Sequence, residues 1–353
     1  MQAEVHLSKI SEMMRHDKLD GLKPSSFGLV FLLSFASSTS AITSLDPAAV
    51  KAAAEYSARH RGVSFLAIQN GRTLLEQNSK TPHKIYSGTK AFWDLAALAA
   101  AEDGLLDLDD HVADTLTSWR NDPRKSQVTI RQLLNFDSGI EPLFRLHDAQ
   151  SDDRDALALR ARMAAEPGTA FIYGPGALQV FHQVLKAKLS SQTPTHFLER
   201  RVLHRLGLGR QRYLPDRAGN PLLATGWILT AREWAKIGRV VLNDGAPVIS
   251  RQSLEQCWRG TAANRAFSFG WWNNRAASNG REFDFEQMLI PKWPNQNWSD
   301  ACLCRDAPSD LVACIGSEGQ RLYVVPSLQL IVVRQADGGS FSDGHFLRLL
   351  LGR

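Results

Sequence analysis

Ile85-Tyr86-Ser87-Gly88-Thr89-Lys90-Ala91-Phe92-Trp93 places a serine and a lysine three residues apart. A helix that begins at Ser87 puts both side chains on one face, one turn apart. A serine hydroxyl is a poor nucleophile until a base takes its proton. A lysine in a dry cleft can be that base, because burial disfavours the ammonium form. Ser-x-x-Lys is therefore a pattern for acyl transfer. Alone, the tetrad reads more readily as a capping serine followed by a surface lysine. Its weight comes from the rest of the chain.

Outward from the tetrad, Phe92, Leu95, Ala96, Leu98 and Ala99 continue a helix that Gly104 ends. Upstream, Asp46 to His60 reads as a helix with Ala48, Ala49, Ala52, Ala53 and Tyr56 on one face. Val63–Gln69 and Arg72–Gln77 read as strands joined at Asn70-Gly71, a strong hairpin turn. Downstream, helices are expected from Val128 to Leu134, Ala156 to Ala165, Gln179 to Leu189 and Pro194 to Leu206. Another opens at Thr230, a plausible cap. Trp271, Trp272, Trp293 and Trp298 fall in Asn-, Pro- and Gly-rich stretches and read as loop residues. Arg321–Val325 and Leu330–Arg334, around Pro326-Ser327, read as a buried hairpin. The order is hairpin, helical middle, hairpin, terminal helix. It predicts an α+β fold with one antiparallel sheet built from both chain ends. Residues 42–85 and about 265–353 form the sheet part, and about 86–264 a mainly helical insertion.

The chain has 353 residues, 44% hydrophobic and 22% charged, enough for a sizeable core. Its net charge of +5 is spread out, apart from Arg200, Arg201, Arg205, Arg210, Arg212 and Arg217. No recognised motif accompanies that charge, so an amphipathic helix with a solvated face is expected there, and no nucleic-acid partner. Phe27 to Ala36 is apolar, follows Arg15, Lys18 and Lys23, and leads to Thr39-Ser40-Ala41. This is the layout of an export signal, residues 1–41, cleaved after Ala41. The run is too short to span a bilayer, so no stable membrane span is expected. A periplasmic or secreted location follows. Cys257, Cys302, Cys304 and Cys314 could pair in such a compartment, in three ways that the sequence leaves open. Without a histidine cluster they predict no zinc site, and no metal or cofactor is expected.

Several landmarks coincide with the tetrad in order and spacing. They are Glu102 to Asp110, Thr129 to Leu134, Ser138-Gly139, Glu166 to Tyr173, Thr230 to Gly238 and Gly316 to Pro326. Together they resemble the class C β-lactamase-related serine hydrolases, a family that includes penicillin-binding enzymes, esterases and nylon-oligomer hydrolases. The resemblance covers most of residues 45–350. It implies a β-lactamase/transpeptidase-like fold and an acyl-enzyme mechanism. Ser87 would be the nucleophile, Lys90 and Tyr173 the proton shuttle, with Lys90 lowering the phenol's pKa. The oxyanion hole would use the backbone N–H of Ser87 and one near Ser317.

Two departures bear on the substrate. The family often has Tyr-x-Asn where this chain has Tyr173-Gly174-Pro175, so an acyl-binding amide is absent. Its third motif, Lys-Thr-Gly or His-x-Gly in many members, is here Cys314-Ile315-Gly316, with Glu318 two residues on. That register supplies no cation for a β-lactam carboxylate, and a shifted one puts Glu318 in the site. Trp271 and Trp272 are candidates for an apolar substrate wall. The expected partner is a small-molecule ester, amide or β-lactam, with a small ester or amide favoured. The alternatives are a β-lactamase, a D-amino-acid peptidase, or a non-catalytic penicillin-binding sensor with the same fold. An α/β-hydrolase is excluded, because Gly338-Gly339-Ser340-Phe341-Ser342 lacks the last glycine of Gly-x-Ser-x-Gly. The oligomeric state is left open.

Overall fold

The computed structural model describes residues 44–148, 150–284 and 297–353. The expected export signal and Trp293 lie outside them. Strands β1 (Gly62–Gln69), β2 (Arg72–Gln77), β3 (His83–Lys84), β4 (Ile228–Leu229), β5 (Phe267–Ser268), β6 (Trp271–Asn273), β7 (Arg281–Glu282), β8 (Ala301–Cys302), β9 (Val312–Gly316), β10 (Gln320–Val325) and β11 (Leu330–Ala336) occur in chain order. Seven of them form one sheet in the order β2-β1-β11-β10-β9-β6-β5, with every pairing antiparallel. The first hairpin thus joins the last two strands, with Leu66 opposite Val333 and Ala67 opposite Val332. This is the α+β fold expected from the element order. Asn70 and Gly71 both have positive φ, 51° and 72°, as a tight two-residue turn between twisted strands requires.

The longer helices are α1 (Pro47–Arg59), α2 (Lys90–Glu102), α3 (Arg154–Leu159), α4 (Pro175–Lys188), α5 (Ala231–Leu242) and α6 (Asp343–Leu351). Asp46 caps α1 by accepting from the Ala48 N–H at 2.9 Å, and Pro47 fills the first turn, where no N–H is needed. Thr230 caps α5 in a reciprocal box with Glu233. α5 packs on β10 and β11, and Gly238 is the point of closest approach to Val324 and Ile331. α1 and α6 pack against each other. α2 differs in kind, because Lys90 to Ala100 are all buried. A helix apolar on every face belongs inside the protein.

Four expectations change. Only Arg154–Leu159 of the helix expected over 156–165 is helical. Asp153 caps it early, and Met163 pairs with Ile140 instead. Trp271 and Trp272 are strand residues, not loop residues; their run was too short to read as a strand. All four cysteines are free and buried. In the basic stretch, Arg201 is only 9% exposed and holds the Asp103 carboxylate at 2.8 and 2.9 Å, rather than facing solvent.

The last helix is tied to the sheet by a buried ion pair. The Arg321 guanidinium on β10 donates to both oxygens of Asp343 at 2.7 and 3.2 Å, and the Tyr323 hydroxyl donates to the same carboxylate. Removing one partner of such a pair leaves an uncompensated charge inside the protein. Asp343→Ala is expected to lower stability by about 3–5 kcal/mol, read from denaturant midpoints. An unchanged midpoint would show that the pair contributes nothing to holding α6.

Candidate active site

Tyr86–Thr89 form a turn of 3-10 helix that runs straight into α2. Ser87 stands in that first turn, where backbone N–H groups have no intrahelical acceptor. Two glycines let this turn sit tightly. A Cβ at Gly88 would lie 2.6 Å from the Trp234 ring, and one at Gly316 would lie 2.2 Å from the Ile85 carbonyl oxygen. The end of β9 is thereby pressed against the turn. β6 pairs with β9 only at Val312 and Ala313, so the β9 edge from Cys314 onward is left open toward the turn.

Lys90 Nζ lies 2.7 Å from Ser87 Oγ and donates to the Ala224 carbonyl at 2.9 Å. It is 3% exposed, and burial brings its pKa down from the usual lysine value to about 7. A neutral amine has one lone pair, and the Ser87 hydroxyl is where that pair can be used. The Tyr173 ring centroid is 4.7 Å from Nζ, and its hydroxyl is hydrogen bonded to Ser87. Burial pushes Tyr173 upward, although the Ser87 contact opposes this. The expectation that Lys90 lowers the phenol's pKa is therefore reversed: Tyr173 keeps its proton.

The sequence reading missed Asp94. It lies one turn beyond Lys90 on α2 and is fully buried, and neither carboxyl oxygen has a hydrogen-bond partner among the described residues. Burial pushes it well above the carboxylate range, so it is held as the neutral acid. The turn at Phe269-Gly270 seals it in: a Cβ at Gly270 would lie 2.7 Å from both Asp94 Oδ2 and the Ala91 Cα. No periodicity marks this residue, since its burial comes from strands far away in sequence.

These groups sit at one cavity of about 580 Å³. Ser87, Lys90, Tyr173, Gly316 and Ser317 all line it, so five of the expected site residues converge. Four others do not. The Cys314 thiol turns under the nucleophile turn toward the Gly88 carbonyl oxygen, at 3.6 Å, and burial pushes its pKa up to about 12. Glu318 is exposed on the β9–β10 turn, where it adds to the effect of burial in raising the Tyr86 pKa, and is not part of the cavity wall. Trp271 packs on Trp258, and Trp272 on Phe171, Phe267 and Trp298. That second cluster supports Tyr173 from behind through Phe171 and Phe267.

The actual walls come from Phe144, Leu214, Trp227, Ile228 and Ile315, with His147 and Lys84 as polar members. Phe144, Leu214 and Ile228 are 46%, 48% and 52% exposed, three of the four large apolar side chains that reach the surface among the described residues. A cation does line the cavity, Lys84, but it comes from β3 and not from the third motif. One side chain fixes two of the walls. Arg154, 1% exposed, donates to the carbonyl oxygens of Leu146 at 2.8 Å, Asp148 at 3.0 Å and Leu214 at 2.6 Å. Among the described residues no cluster of three metal-ligating side chains lines the cavity. Glu282, Cys304 and Asp306 converge elsewhere, but Arg348 already donates to both carboxylates, to Asp306 at 2.6 Å.

Comparison with known proteins agrees with this geometry. Protein flp of Staphylococcus aureus (strain N315) is 31% identical over 133 residues, 32% of this chain. The chain spans 27% of the length of that relative. The structure of a class C β-lactamase from Rhodobacter sphaeroides superposes with a TM-score of 0.65 at 20% identity, covering 87% of this chain and 99% of that one. The structure of EstCE1, a hydrolase with promiscuous acyltransferase activity, gives a TM-score of 0.62 at 17% identity, covering 86% and 97%. The family model for Beta-lactamase matches residues 48–333, a span that holds the nucleophile turn, the sheet and every wall of the cavity, and the chain belongs to that family of serine hydrolases.

Proposed function

We propose that this hydrolase forms an acyl-enzyme on small, neutral esters or amides with an apolar acyl or alcohol part. The observation that carries the reading is a buried lysine with a pKa of about 7, 2.7 Å from a serine hydroxyl in a largely apolar cavity. Lys90, as the free amine, takes the Ser87 proton while Oγ attacks the carbonyl carbon. Negative charge then gathers on the carbonyl oxygen, to be met by the backbone N–H groups of Ser87 and Ser317. Tyr173, still protonated, hands its proton to the departing oxygen or nitrogen as the acyl bond breaks. The proton on Lys90 restores the phenol. Water then repeats the sequence on the acyl-enzyme, with Ser87 as leaving group.

A second reading has one observation in its favour. Lys84 lines the cavity and offers a cation to a carboxylate, which a β-lactam carries. The neutral ester is preferred because Lys84 is exposed to solvent and the rim is built of Phe144, Leu214 and Ile228. The resemblance of EstCE1 supports the ester reading, and that of the class C β-lactamase the other. We also propose export, from the signal-like layout of residues 1–41. Mass spectrometry of the protein from its producing cell should find an N-terminus near Ile42, and an intact leader on a cytosolic protein would overturn this.

Ser87→Ala should abolish ester hydrolysis with the fold intact, and full activity would reject Ser87 as nucleophile. Lys90→Ala and Tyr173→Phe should each lose on the order of 10²-fold in kcat. The rate depends on free Lys90, so kcat/KM should rise with pH through about 7 and level off above it. Burial holds Asp94 as the neutral acid beside Lys90, so Asp94→Asn should leave that limb where it is. The other groups coupled to the pair are Cys257, Cys314 and Tyr173, which burial pushes upward and keeps uncharged. His147 is held below the usual imidazole range by burial and by Lys90. A limb that moves to lower pH would show that Asp94 is ionised beside Lys90. For the substrate, kcat/KM for a short-chain p-nitrophenyl ester should exceed that for nitrocefin in the same buffer. A ratio below one would make β-lactam hydrolysis the primary activity.

A further inference from the structure

A second cavity, of about 610 Å³, lies apart from the Ser87 site. It is lined by His182, Lys186, Arg210 and Arg212, with the hydroxyls of Thr193 and Thr195 beside them, and no carboxylate side chain is among its walls. His182 is 2% exposed on α4, and its Nδ1 is 2.9 Å from both oxygens of Asp155 on α3. Asp155 is 1% exposed and also accepts from Gln179 Nε2 at 2.7 Å. A carboxylate so placed fixes the ring's orientation and keeps a proton on Nδ1. The ring nevertheless lines the cavity, and Nε2 has no hydrogen-bond partner among the described residues.

The other polar groups point the same way. Lys186 follows His182 by four residues on α4, so both are on one helix face. Lys186 and Arg212 are exposed and in no ion pair among the described residues, whereas Arg210 is 3.4 Å from Glu199. The Thr193 and Thr195 hydroxyls are 2.9 Å apart. Asp155 holds His182 and Glu199 lies beside Arg210, which leaves Lys186 and Arg212 as the cations without an acid partner among the described residues. A planar carboxylate is met by one two-pronged donor, but donors spread around a concavity suit the several oxygens of a tetrahedral anion.

We infer that this cavity binds a phosphorylated small molecule, its phosphoryl group held by His182, Lys186 and Arg212. None of these residues belongs to the Ser87 site, so the inference stands whatever substrate that site takes.

Titration calorimetry on the full chain tests it, with inorganic pyrophosphate as probe and sodium chloride at equal ionic strength as reference. Saturable binding is expected, weakened at least about tenfold in Lys186→Ala/Arg212→Ala, because charge-assisted hydrogen bonds are lost. Acetate should not displace the probe. The melting temperature of the unliganded variant controls for folding, and Lys186→Gln/Arg212→Gln replaces it if the first pair fails to fold. No binding beyond chloride, an affinity unchanged in the folded variant, or displacement by acetate as effective as by phosphate would each overturn the inference.

Discussion

Lys90 is held where water cannot solvate an ammonium ion, and the site depends on that. Transfer of an ion from water into a protein interior costs several kcal/mol, so the free amine is the form that the surroundings favour. The same exclusion keeps Asp94 and Tyr173 protonated. Three titratable groups are therefore set by one cause, and that is the protonation state from which the proposed acyl transfer would start. The enclosure comes from α2, which is buried on every face from Lys90 to Ala100.

That enclosure is built from contacts made by residues without side chains. Gly88 lets the nucleophile turn rest on Trp234, Gly316 lets β9 rest on Ile85, and Gly270 lets the β5–β6 turn rest on α2. A methyl group at any of these three points would have to displace backbone or a packed ring, and would open the floor of the cavity to water. Sheet and helices thus meet at the reacting atoms with no room for adjustment.

The sequence carried the frame because its signals are local. Asn70-Gly71 specifies a hairpin through backbone conformation alone, and Thr230 with Glu233 specifies a helix start. The Ser87, Lys90 and Tyr173 positions were readable because motif spacing stands in for geometry. The cavity walls were not. Phe144, Leu214, Trp227 and Ile228 come from segments without a regular period, and their convergence is a property of the fold. Trp271 and Trp272 failed as candidates for the reverse reason: a large aromatic reads the same whether it lines a site or supports one from behind. Nothing in the sequence marks Lys84 or Asp94, since each draws its interest from segments that the fold brings beside it.

Arg154 holds its two loops through their carbonyl oxygens and, among the described residues, donates no hydrogen bond to the side chains that they present to the cavity. Every peptide carries a carbonyl, so this anchorage is indifferent to which residues stand at 144, 147 or 214. Replacing Phe144 or Leu214 changes the shape offered to a substrate without removing a partner of Arg154. The walls and the chemistry can therefore diverge independently, each tolerant of change in the other. A lysine at 154 would not serve in the same way, since a single ammonium cannot span carbonyls on separate loops as a planar guanidinium does.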